Sequence, residues 1–125
     1  MDLQIASELK EGILVVTASG SIASDEALRL LKQVFDTAKE KEVNKILVNG
    51  LAMDGELQTF DRYRIAGELT AYLREHGQSN VRLAFVGRPP TIGGLGVLVA
   101  QNRGVTTEWF SSHQEALYWL EKWPS

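Results

Sequence analysis

A chain of 125 residues is long enough for one hydrophobic core, so a single domain spanning residues 1–125 is expected. Thirteen Lys plus Arg against sixteen Asp plus Glu leave a net charge of −3, which offers no electrostatic footprint for nucleic acid. The lack of cysteine excludes a disulfide framework, a thiol nucleophile and a thiolate zinc site. Met1-Asp2-Leu3-Gln4 has neither the basic nor the apolar region of a signal peptide, and no run approaches the roughly 20 apolar residues of a spanning helix. The expectation is a cytoplasmic protein without a transmembrane segment.

In chain order, Leu3, Ile5 and Leu9 alternate with polar neighbours, which predicts a half-buried strand. Lys10-Glu11-Gly12 is a short turn, and Ile13-Leu14-Val15-Val16 is apolar on both faces, as a central strand requires. These two strands form an expected antiparallel hairpin. Ala27, Leu31, Val34, Phe35 and Ala38 then recur at helical spacing, with Ser24 expected as N-cap. Ile46-Leu47-Val48 is a buried strand. A second helix is expected from Thr59, its N-cap, to His76, with Ile65, Ala66, Leu69, Tyr72 and Leu73 as its stripe and Gly77 beyond its end. Leu83 to Val86 is the next strand. A third helix is expected over residues 92–102 and a last strand over Thr106 to Phe110. Ser112-His113-Gln114-Glu115 is a capping box that opens a fourth helix carrying Ala116, Leu117, Leu120 and Trp123. The order β-β-α-β-α-β-α-β-α implies an α/β domain: a five-stranded mixed, mostly parallel sheet with an N-terminal antiparallel hairpin and four helices.

In such sheets ligands gather outside the carboxyl ends of the strands. That end holds Asn49, Asp54, Thr59, Asp61, Arg62, Arg88, Thr91 and Ser111 to His113; Lys45, His76, Arg82, Asn102 and Arg103 fall at the other. Arg62 continues the buried stripe of the second helix and so points inward, and Arg88 follows the neighbouring strand. Two guanidinium groups there could hold a carboxylate or phosphate. The competing reading pairs Arg62 with Asp61 or Asp54 and leaves Arg88 in water.

Residues 87–96 are glycine-rich, yet no lysine completes a phosphate-binding loop, and Val99 stands where a dinucleotide fingerprint needs its last glycine. Gly93 and Gly94 either let a helix pack closely on the sheet or, with Thr91, form a backbone cradle for a ligand. The same helix carries no polar side chain from Ile92 to Ala100. Its outer face, with Leu95, Val97 and Leu98, meets a second copy or an apolar ligand, or is covered by the last helix.

Catalytic signals are poor. His76 suits a helix C-terminus, and His113 lies beside a serine already engaged as a cap. No catalytic residue, metal or cofactor is expected. The three tryptophans lack interleaved basic residues and read as core rather than base-stacking groups.

Leu57-Gln58-Thr59-Phe60-Asp61-Arg62-Tyr63, Arg82-Leu83-Ala84-Phe85-Val86-Gly87-Arg88-Pro89, Asn102-Arg103-Gly104-Val105 and Ala116-Leu117-Tyr118-Trp119-Leu120 resemble the SpoIIAA-like branch of the STAS superfamily across nearly the whole chain. The resemblance implies a βα superhelix with a mixed sheet and no known enzymatic chemistry. This branch is also similar to CRAL-TRIO lipid-transfer domains, which implies a carrier of apolar ligands. Sporulation-type antagonists have an Asp-Ser-Ser-Gly-like stretch with a regulatory phosphoserine. Here that stretch reads Phe60-Asp61-Arg62-Tyr63-Arg64, so the phospho-switch does not carry over. The expected function is a non-catalytic domain binding a small amphipathic or apolar ligand, its head near Arg62 and Arg88 and its tail along the third helix. The alternative is a protein–protein regulatory or self-associating module, including a homodimer.

Overall fold

The structure, a computed structural model, describes residues 2–88, 101 and 104–123. Five strands, β1 (Gln4–Lys10), β2 (Ile13–Ser21), β3 (Lys45–Asp54), β4 (Arg82–Val86) and β5 (Thr106–Phe110), form one sheet in the order β1-β2-β3-β4-β5. β1 is antiparallel to β2, and all other neighbours are parallel. The described helices are α1 (Ser24–Glu40), α2 (Thr59–Glu75) and α3 (His113–Glu121). The sheet thus has the expected composition, with three helices rather than four among the described residues. Of the remaining helix, expected over residues 92–102, Gln101 is described and is helical; the rest lies outside the described residues.

Local chemistry sets the boundaries. Glu11 and Gly12 both have positive φ, 51° and 80°, the signature of a two-residue type I′ turn whose twist matches its strands. Ser112 caps α3 as expected, accepting a hydrogen bond from the Glu115 N–H at 3.4 Å. Two expected caps are displaced by one residue. Ala23 and Gln58 occupy the N-cap positions of α1 and α2, so Ser24 and Thr59 are the first helical residues. Extended backbone at the preceding residue fixes each helix start without a side-chain cap. α2 ends as expected, with Gly77 at φ 71°.

The steady progression of strand order places both crossover helices, α1 and α2, on one face of the sheet. Their side chains join Leu14, Val16, Val48 and Leu83 in the larger core cluster. α3 covers the other face, where Ala116 and Leu120 pack with Ile13, Val15, Leu47, Ala84 and Val86. One irregularity redirects a strand. β3 has an extra residue where the pairing passes from Thr17↔Asn49 to Ser19↔Ala52. The bulge reverses the alternation. Leu47 and Leu51 face α3, whereas Met53 turns toward α1 and α2. At the amino ends of the parallel strands, the buried Lys45 donates its Nζ to the Trp123 carbonyl, and the Arg82 guanidinium lies 4.5 Å from the centre of the Trp123 ring. No helix among the described residues is long and apolar enough to cross a membrane.

Candidate functional site

Between the sheet and helices α1 and α2 lies a cavity of about 160 Å³. Val16, Val48, Leu83 and Phe85 form its floor; Leu30, Leu31 and Val34 of α1 and Ile65, Ala66, Leu69 and Leu73 of α2 form its roof. Arg62 and Thr70 are the only polar residues among its described lining. Thr70 is buried, and its hydroxyl donates to the Ala66 carbonyl at 2.7 Å, which leaves the oxygen lone pairs able to accept. The far end is closed by Phe35 and Leu73, both fully buried. The half-buried lining residues Ile22, Met53, Leu57 and Arg62 gather at the carboxyl end of the parallel strands. The cavity therefore approaches solvent at the carboxyl end of the parallel strands.

Position 62 is where the stripe of α2 reaches that opening, so Arg62 is part of the cavity wall, as its spacing predicts. Its Nε donates to the Leu57 carbonyl at 3.0 Å, which fixes the guanidinium beside the start of α2. Asp61 turns to the surface and faces Arg64 at 3.8 Å. Arg64 also meets Asp25 at 3.2 Å and Glu68 at 3.0 Å. Exposed pairs of this kind orient side chains more than they stabilise the fold. Arg88 is exposed beyond the end of β4 and is not among the described cavity residues. Thr91, Gly93 and Gly94, and the expected interface residues Leu95, Val97 and Leu98, lie outside the described residues.

The opposite face brings together Asn49 and His113, two residues assigned to the carboxyl end but not to each other. Asn49 Oδ1 accepts from the Leu51 N–H at 3.0 Å, which orients its amide so that Nδ2 faces His113 Nδ1 at 2.8 Å. The imidazole Nδ1 is then the acceptor, and the neutral ring carries its proton on Nε2. That tautomer presents a donor, not a base, on the far side of the ring.

The spacing pattern missed Thr70 and the rim residues Ile22, Met53 and Leu57. Thr70 was detectable as a polar residue beside Leu69 on a buried helical face. Met53 was not, because its orientation depends on the bulge.

Among the described residues an antiparallel hairpin feeds three parallel strands, with α1 and α2 on one face and α3 on the other, a SpoIIAA-like fold. Two solved structures share it. An anti-sigma factor antagonist from Mycobacterium paratuberculosis superposes with a TM-score of 0.66 at 18% identity, over 97% of this chain and 96% of that one. An uncharacterized DUF3478-family protein with a SpoIIAA-like fold from Shewanella loihica superposes with a TM-score of 0.54 at 16% identity, over 94% and 93%. By sequence, the chain matches no protein-family model and no curated protein.

Proposed function

We propose that this domain binds a small amphipathic ligand non-catalytically, with the apolar part in the α1–α2 cavity and an anionic head at Arg62. The apolar cavity of about 160 Å³ carries this reading. Native interiors are packed nearly as densely as organic crystals, so a void of this size in a core is unusual. An engineered cavity of about 150 Å³ in another protein stays dry and takes benzene, so an apolar body of about six carbon atoms is the matching size. The described lining offers ordered water, which needs two to four polar partners, no more than Arg62 and Thr70. Arg62 adds a positive charge at the open end, suited to a carboxylate. The ligand is therefore a short-chain organic acid, or a longer lipid whose chain leaves the cavity at the rim.

Native mass spectrometry of the full chain with hexanoate and with hexylammonium tests the reading. A one-to-one hexanoate adduct, weakened about tenfold or more by Arg62→Gln, is expected. Equal retention of both probes would remove the head-group assignment. Retention of neither would remove the ligand.

A second reading rests on a different observation. Phe60 is 76% exposed and Tyr63 is 47% exposed, and the two lie one turn apart at the start of α2. Such a pair fits a protein partner, the kind of role that the anti-sigma factor antagonist's description assigns to that protein. Phe60→Ser with Tyr63→Ser separates the two readings, because it removes a docking surface without altering the cavity lining.

A further inference from the structure

We propose that a second copy of this chain pairs with it along the open edge of β1, antiparallel and two-fold symmetric about Ser7. β1 is the first strand of the sheet and has a neighbour on one side only. The turn fixes which of its backbone groups face that neighbour. In a two-residue type I′ hairpin the flanking residues, here Lys10 and Ile13, exchange both of their hydrogen bonds. Alternation then directs the groups of Lys10, Glu8, Ala6 and Gln4 toward β2, and those of Leu9, Ser7, Ile5 and Leu3 away from it. Leu3 bears this out: its N–H is taken at 2.9 Å by the Glu26 carboxylate of α1 rather than by a strand. Ile5, Ser7 and Leu9 are left presenting main-chain donors and acceptors along the edge.

These three residues are self-complementary. Antiparallel pairing about Ser7 sets Ser7 against Ser7, Ile5 against the second copy's Leu9, and Leu9 against its Ile5, with about six main-chain hydrogen bonds. Every outward group finds a partner of the right kind. Leu9 is 48% exposed although its neighbours on that face, Leu3 and Ile5, pack into the core. The pairing covers it with the second copy's Ile5. On the other face, Glu8 stands opposite Ala6 and Lys10 opposite Gln4, so no like charges meet across the strands. A shift by one residue would place inward-facing groups at the joint, which restricts the register. The product is a continuous ten-stranded sheet. It does not depend on any ligand.

Sedimentation of the full chain from micromolar to about millimolar concentration, with hydrogen exchange on the same samples, tests the proposal. The expected result is a monomer–dimer equilibrium in which the Ser7 and Leu9 amides gain protection as concentration rises. The Ala6 and Glu8 amides are expected to be protected throughout. Ser7→Pro removes an outward N–H and leaves the bonds to β2 in place, and should raise the dissociation constant about tenfold or more. Leu9→Lys reaches the same end without altering the backbone, should Ser7→Pro fail to fold. A chain that stays monomeric across the range, or a dimer that both variants leave intact, would overturn the proposal.

Discussion

The two faces of the sheet are covered differently. On one, the short helix α3 brings Ala116 and Leu120 against Leu47, Ala84 and Val86, and all five are fully buried. On the other, two longer helices leave a cavity. Small residues alone do not make the difference, since Ala84 and Ala116 meet on the filled face, whereas α1 and α2 leave free space above the sheet. Ala27, Ala66 and Thr70 are small, and they line the space between the helices and the floor. Burial from water and filling of the space beneath a helix are therefore separate matters. The α3 face is a load of close contacts. The α1–α2 face encloses free space.

Substitutions that shrink or enlarge side chains should expose that contrast. Leu47→Ala removes a side chain from the filled face and should lose about 3–5 kcal/mol in urea unfolding. Leu69→Ala borders existing free space, has fewer contacts to lose, and should cost less, about 2–3 kcal/mol. Enlargement should separate the faces further. Ala116→Leu overpacks the filled face and should cost about 1–3 kcal/mol. Ala66→Leu has room to enter and should change stability by less than about 1.5 kcal/mol in either direction. Comparable costs for the two enlargements would argue that the cavity is no more accommodating than the opposite core.

A smaller effect is expected at Asn49. Asn49→Ala leaves the Leu51 N–H and His113 Nδ1 without their partner and should cost about 1–2 kcal/mol. The smallest is a pH effect at the α1–α2 seam. The Tyr72 hydroxyl donates to Asp36; that hydrogen bond, then burial, then the carboxylate charge raise the phenol above its ordinary value near 10. The stabilisation is whole below the ordinary tyrosine range and is lost as pH rises through the folded-state value. Thermal melts across about pH 9 to 12 should therefore fall more steeply in the native chain than in Tyr72→Phe.

Much of this architecture was legible in the sequence, because periodicity reports which face of an element is buried. The two periods distinguished the strands from α1 and α2, and Arg62 was found by following one stripe past its last apolar residue. The cavity was not legible. It depends on how far α1 and α2 stand from the sheet, and Ala66 reads as core whether or not anything touches it. Leu57 and Met53 reach the rim through a loop and a bulge that leave no periodic trace. The link between Asn49 and His113 joins β3 to the start of α3, two elements distant in sequence whose proximity follows from strand order.

The most direct test of the cavity's role is a methyl NMR titration of the full chain with hexanoate, run in parallel on Ala66→Leu. The predicted result is saturable shifts confined to methyl groups of the cavity lining, Ile65, Leu69 and Leu83 among them, with Leu47 and Leu120 unmoved, and loss of those shifts when the space is filled. Shifts of equal size in the filled variant, or none in either chain at millimolar hexanoate, would contradict a ligand site beneath α1 and α2.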